Sequence, residues 1–164
     1  MLDFSRQYGL LREEILIAIT GVCDSQQLIL GPAVANFEAA AAQACSATFA
    51  VGCASGTDAL WLALAAAGIG DSSESLRSDK TPDGVITTPF SFFASASAIL
   101  RAGARPIFAD IDPRTFNLSP ASVAEALAKP GGSSVKAILP VHLYGQCADW
   151  DGLEALKRDG SDVL

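Results

Sequence analysis

Val85-Ile86-Thr87-Thr88-Pro89-Phe90-Ser91-Phe92-Phe93-Ala94-Ser95-Ala96-Ser97-Ala98-Ile99-Leu100-Arg101-Ala102-Gly103-Ala104-Arg105-Pro106-Ile107-Phe108-Ala109-Asp110 reads as strand, helix and strand in succession. The β-branched run over residues 85–88 predicts a strand, residues 92–102 a helix and residues 106–110 a second strand, with Gly103 where a left-handed helix C-cap falls. A crossover helix between two strands makes them parallel neighbours in one sheet. The same alternation continues on both sides. A strand over 48–52 and a helix over 57–67 come before; a helix over 120–127, a strand over 135–141 and a helix over 150–158 come after. A further element opens at Asp162-Val163-Leu164. The expected fold class is α/β, a mainly parallel sheet flanked by helices.

Two helices precede this pattern. Tyr8, Leu11, Ile15, Ile19 and Val22 recur at helical spacing, and Pro32 after Gly31 opens a second helix with Val34, Phe37, Ala41 and Ala44 on one face. The organisation expected is an N-terminal helical segment over 1–46 and an α/β domain over 47–164. Ser119-Pro120 supplies an N-cap followed by proline at the first helical position, and Gly160 stands where another helix would end. Leu60-Trp61-Leu62-Ala63-Leu64-Ala65-Ala66-Ala67 is apolar on every side, which predicts a buried helix. The polar stretch over 71–83 predicts an exposed loop.

Half of the 164 residues are hydrophobic and 18% are charged, enough for a sizeable core without disulfides or metal. With 11 basic against 18 acidic side chains the formal charge is −7, and the basic residues form no cluster that would hold a nucleic acid. Phosphate could still be bound by backbone amides and helix ends. Cys23, Cys45, Cys53 and Cys147 contain no C-x-x-C pair, and the single histidine, His142, cannot complete a zinc cage with them, so no metal site is expected. Their Ala-rich, apolar surroundings predict buried thiols in a reducing cytoplasm. The N-terminus lacks a secretory layout, and the uncharged stretch over 39–57 is too polar for a membrane span, so a cytoplasmic protein is expected.

In parallel α/β sheets ligands bind beyond the carboxyl ends of the strands. Three junctions of that kind carry usable chemistry. Ala54-Ser55-Gly56-Thr57 places hydroxyls and a glycine at a helix start, where free N–H groups can seat a phosphate; Ser55 and Thr57 could equally do no more than cap the helix. Thr87-Thr88-Pro89-Phe90-Ser91-Phe92-Phe93 puts three aromatics at a strand end, which can face a planar ligand or, more simply, pack in the core. Pro140-Val141-His142-Leu143-Tyr144-Gly145-Gln146 sets the histidine just past a strand, as a structural residue or as a ligand contact. Asp110-Ile111-Asp112 adds a competing idea, a metal and nucleotide-diphosphate site of the glycosyltransferase kind, against loop closure into Pro113.

Taken in order, Phe4-Ser5-Arg6-Gln7-Tyr8, Leu30-Gly31-Pro32-Ala33-Val34 with Phe37-Glu38, Ser55-Gly56-Thr57-Asp58-Ala59-Leu60, residues 85–92, residues 102–113 and Pro140-Val141-His142-Leu143-Tyr144-Gly145-Gln146 form one ordered set of blocks. That set resembles the DegT/DnrJ/StrS family of pyridoxal-phosphate-dependent sugar aminotransferases, over nearly the whole chain. The resemblance implies the type I fold of the aspartate-aminotransferase superfamily, with this chain as part of its large domain. It also implies a homodimer, pyridoxal 5'-phosphate as cofactor, and transfer of an amino group, usually from glutamate, to a keto sugar carried on a nucleotide. Gly56 and Thr57, with Ser55 beside them, match the motif that holds the cofactor phosphate. Phe92 matches the aromatic that stacks on the pyridine ring, and His142 lies in the block behind that ring. Asp110 and Asp112 belong to the family pattern as well, which weakens the glycosyltransferase idea.

The same resemblance sets out what these residues do not supply. Family members are more than twice as long; the family places its ring-pairing acid in the strand that opens at Asp162-Val163-Leu164 and its Schiff-base lysine further on, and neither is among these residues. Lys80, Lys129, Lys136 and Lys157 stand in no matching context. The expectation is an N-terminal part of a sugar aminotransferase that is inactive alone, with a non-catalytic remnant as the alternative and a dehydratase as a related activity. The segment over 71–80 reads as an insertion.

Overall fold

The β-branched stretch before Pro89 forms β1 (Gly84–Thr87), and every residue of it is buried. Such complete burial is what a central strand covered on both faces requires. It pairs in parallel with β2 (Arg105–Phe108) on one side and β3 (Val135–Ile138) on the other, giving the order β2-β1-β3. Ile86 stands opposite Ile107 and Ile138. The structure is a computed structural model that describes residues 3–70 and 81–156, so the element expected at 162–164, most of the loop expected over 71–83 and the cap expected at Gly160 lie outside the described residues.

Alternation along β1 divides the core in two. Val85 faces a cluster with Leu64, Ile69, Ile99, Ala102, Ala104 and Ala137. Ile86 faces the other way, onto Leu118, Val123, Ala126, Val135, Ala148 and Leu153. Helices α3 (Gly56–Ala66) and α4 (Ala94–Arg101) supply the first layer. Helices α5 (Pro120–Ala128) and α6 (Trp150–Glu154) supply the second. Val135 and Ala137 lie two apart yet serve opposite faces, because the β1–β3 register shifts between Gly84 and Val85 and leaves Lys136 as the extra residue of a bulge. The α/β class expected from the sequence, a parallel sheet flanked by helices, is therefore what forms. Ser119 caps α5 by accepting from the Ser122 amide at 3.4 Å, and Gly103 takes the left-handed conformation after α4 at φ 80°.

The chain divides into two compact units, Met1–Gly52 and Cys53–Leu164. In the first, α1 (Ser5–Ser25) and α2 (Pro32–Ala44) form as expected, with Pro32 in the first turn of α2. Ala42 is the one buried residue of α2, and α1 buries none. No described helix is long and apolar enough to cross a membrane.

Several expectations are corrected. Residues 48–52 do not form a strand. Alternating apolar side chains suit a strand, but a strand exists only through a neighbour that takes its backbone hydrogen bonds. Here the Gly52 amide donates to the Glu38 carboxylate at 2.7 Å, and Phe49 and Val51 stay exposed. Helix α3 is not enclosed: Leu64 is its only buried residue, because α4 and the sheet cover just one side. All four cysteines are exposed, since Ala-rich neighbours lower local polarity without placing a second layer over the thiol.

Candidate functional site

Parallel pairing places the ends of β1 and β3 at one edge of the sheet. Thr87, fully buried, fixes them there by donating its hydroxyl to the Leu139 carbonyl at 2.9 Å, while the Leu139 amide donates to Ile86 O at 2.7 Å. The chain leaving β1 turns at once, because the Thr88 hydroxyl accepts the Phe90 amide at 3.1 Å. Phe90 then rests on Phe116, with ring centroids 5.9 Å apart. Phe92 is 80% exposed, and Phe93 is exposed as well. Core packing, the plainer reading of these aromatics, is thus corrected: the helix they introduce buries Ser95, Ala98 and Ile99 instead.

The chain leaving β3 reaches His142, whose Nδ1 accepts the Ala148 amide at 3.0 Å. Between them Tyr144 adopts a left-handed conformation at φ 52° and projects fully into solvent. The structure thus brings the Phe92 and His142 junctions to the same sheet edge.

The third junction is the start of α3. Ser55 caps the helix twice over, accepting the Asp58 amide at 3.2 Å and donating to its carboxylate at 3.1 Å. The capping reading holds for Ser55. Thr57 does no capping, and among the described residues the amides of Gly56 and Thr57 have no acceptor. Nothing lies within 4 Å of where a Cβ on Gly56 would sit. The first turn therefore offers two free N–H groups, one free hydroxyl and open space, the donor set that suits an anion. Asp58 in that turn would oppose one. Its carboxylate is paired with Arg101 of α4 at 2.6 Å, and the Arg101 guanidinium also lies 4.3 Å above the Trp61 ring. No hydrogen bond among the described residues joins Ser55, Gly56 or Thr57 to the other two junctions.

Two contributors escaped the sequence reading. Arg101 does so because its partners lie 40 or more positions away. Asn117 does so because nothing local marks it as buried; it holds the loop after His142 through bonds to Leu143, Gln146 and Cys147. The Asp110-Ile111-Asp112 pair closes a loop. Asp110 accepts the Ile111 amide at 2.8 Å, and Asp112 accepts those of Arg114 and Thr115 at 2.8 and 3.0 Å. The described residues hold no group of three or more His, Cys, Asp or Glu that could bind a metal ion.

The amides of Arg114 and then Thr115 hold the Asp112 carboxyl below the usual carboxylate range. A depressed folded value means that this contribution is present above the unfolded value of about 3.9 and fades as pH falls through the lower folded one. Asp112→Asn is accordingly expected to lower the urea midpoint at neutral pH, with the gap to wild type closing under acid. A gap that stays constant from neutral pH to pH 2 counts against this role for the ionised carboxylate.

A profile of the DegT/DnrJ/EryC1/StrS aminotransferase family matches residues 10–161. Among curated relatives, a pleiotropic regulatory protein of Geobacillus stearothermophilus is 46% identical over 100% of this chain and 41% of its own. The UDP-2-acetamido-2-deoxy-3-oxo-D-glucuronate aminotransferase of Pseudomonas aeruginosa is 39% identical over 94% of this chain and 39% of its own. Among solved structures, S. venezuelae DesV in complex with a ketimine intermediate superposes with a TM-score of 0.80 at 38% identity, covering 94% of this chain and 38% of that one. Bacillus subtilis NtdA with bound cofactor PMP gives a TM-score of 0.75 at 33% identity, covering 88% and 30%. The chain thus spans about two fifths of the length of the curated relatives it matches.

Proposed function

We propose, since the chain belongs to the DegT/DnrJ/EryC1/StrS aminotransferase family, that it forms part of a pyridoxal-phosphate-dependent aminotransferase acting on a nucleotide-linked keto sugar, with glutamate or a similar amino donor. The observation that carries this reading is the free donor set at the start of α3 within a chain matched to that family over residues 10–161. The same reading takes residues 47–164 as part of the cofactor-binding large domain, in a cytoplasmic homodimer. Large apolar side chains left exposed on α1, such as Leu10 and Ile17, are in keeping with a subunit interface.

Pyridoxal phosphate, when bound, supplies the electron sink that lets an amino group exchange with a keto oxygen. The residues present fit its two ends. The amides of Gly56 and Thr57 and the Thr57 hydroxyl would donate to the phosphate, and Arg101, by pairing with Asp58, removes the charge that would repel it. Phe92 would cover one face of the ring and keep water from it, and His142 would contact it from the β3 side. Of the described lysines, Lys136 lies at the amino end of β3 and Lys129 just after α5, both away from the carboxyl edge. The described residues therefore contribute binding and orientation of the cofactor rather than an amine that moves protons.

Pyridoxamine phosphate tests the reading, because it has no aldehyde to react with surface lysines. Calorimetry is expected to show saturable binding that is about 10–100-fold weaker in Thr57→Val, an isosteric change that removes one donor to a charged group. Pyridoxamine without the phosphate should bind both proteins alike. Equal affinity of wild type and Thr57→Val for pyridoxamine phosphate, or no binding at all, would sink the assignment.

A further inference from the structure

We infer that Asn117 is a positioning residue that holds His142 with its ring hydrogen on Nε2, so that the imidazole meets a bound ligand as a hydrogen-bond donor. The donor role rests on the proposed function, whereas the tautomer does not. Ala148 is buried, and its N–H must find an acceptor. His142 Nδ1 provides one at 3.0 Å. A nitrogen that accepts carries no hydrogen, so the neutral ring holds its hydrogen on Nε2.

That bond spans six positions, across a loop with left-handed backbone at Tyr144 and Gly145 whose own backbone bonds, Gly145 N–H to His142 O and Gln146 N–H to Leu143 O, are both 3.1 Å. Asn117 grips both ends of it. Its Oδ1 accepts the amide of Leu143, the residue after His142, at 3.1 Å. Its Nδ2 donates to Gln146 O at 3.0 Å and to Cys147 O, the residue before Ala148, at 3.1 Å. Reversing the side-chain amide would set its oxygen against two carbonyls and its NH2 against an N–H, so the orientation is fixed by the partners. Asn117 is itself 2% exposed and anchored: its carbonyl accepts the Asp112 amide at 2.9 Å and its amide donates to Thr115 Oγ1 at 3.3 Å. The loop closed by Asp112 thereby positions the residue that positions His142.

His142 is the only histidine of the chain, so its ring nitrogens can be read directly in an untagged, 15N-labelled sample. In the neutral wild-type ring, Nδ1 is expected at the shift of an unprotonated acceptor and Nε2 with a directly bonded hydrogen. Asn117→Ala should move both nitrogens toward the averaged positions of a free imidazole and speed exchange of the Ala148 amide about 10-fold or more. Asn117→Asp, which keeps the acceptor and loses both donors, should do the same and serves if Asn117→Ala does not fold. The inference is overturned by a wild-type hydrogen on Nδ1. It is equally overturned if the ring nitrogens stay put in a folded variant whose Leu143 amide exchanges faster, because Asn117 would then only brace the loop. Adding pyridoxamine phosphate separates the two readings. If it binds and the Nε2 hydrogen does not shift, the donor role fails; if it does not bind while the ring signature and its response to Asn117→Ala persist, the cofactor reading fails and the positioning of His142 stands.

Discussion

Ile86→Ala is expected to lower the unfolding free energy by about 2–5 kcal/mol, read as a fall in urea midpoint without a change in slope. Ile86 is fully buried at the centre of β1, the strand with a neighbour on each side. Its side chain packs among Leu118, Val123 and Leu153, which come from the loop before α5, from α5 and from α6. The loss has two sources: the transfer free energy of the methyl and methylene groups removed, and the cavity that three separately anchored elements cannot close by moving together. Phe108→Ala provides the contrast. That larger side chain is half-exposed on the edge strand β2, so its removal should cost under about 1 kcal/mol. Equal losses from the two substitutions would mean that the core is not centred on β1.

The legibility of the sequence follows the distance over which each feature is decided. The unit β1, α4, β2 was readable because every signal in it is local: a β-branched run, a helical stretch, a glycine at the C-cap and a second apolar run within 26 residues. The α5 cap at Ser119-Pro120 was readable for the same reason. Residues 48–52 carry an equally good local pattern and form no strand, because pairing is supplied by another segment and not by the run itself. The enclosed helix expected at Leu60-Trp61-Leu62 failed on the same ground, since composition says how apolar a surface is but not how many neighbours reach it.

The candidate site divides in the same way. Ser55, Gly56 and Thr57 could be placed at a helix start from spacing alone, but only the bonds show that Ser55 is occupied by Asp58 while Thr57 is free. Phe92 and His142 could be placed past strand ends, and parallel pairing of β1 with β3 then puts them at one edge. Arg101 and Asn117 act across 43 and 26 to 30 positions, and no pattern within a helix or a turn encodes such pairs. A sequence displays what each residue offers. Which partner accepts the offer is settled by the fold.

Gly70→Ala is the second substitution expected to have a large effect, and it probes backbone rather than side-chain packing. Gly70 follows α3 with φ at +100°, a region that alanine occupies only under strain of about 1–3 kcal/mol. A Cβ there would also overlap the carbonyl oxygen of Ala102. That carbonyl cannot step aside, because the N–H groups of Ala102 and Ala104 donate hydrogen bonds to Ala98 O and Ile99 O, and both residues are buried in the same cluster as Val85 and Ile99. Relieving the overlap means separating the C-terminal ends of α3 and α4 and loosening the bond from the Gly70 amide to the Asp83 carboxylate at 3.1 Å, which precedes β1. Strain and overpacking together should cost about 3–5 kcal/mol, or roughly 10–20 °C in Tm. Gly21→Ala in α1 has open space around its Cβ and ordinary helical backbone, so it is expected to be neutral or to stabilise by up to about 1 kcal/mol. The pair makes the cause separable: both add the same methyl group, and only one adds it where two helix ends meet through bare backbone. A Gly70→Ala protein that melts with wild type would show that this close approach does not exist in solution.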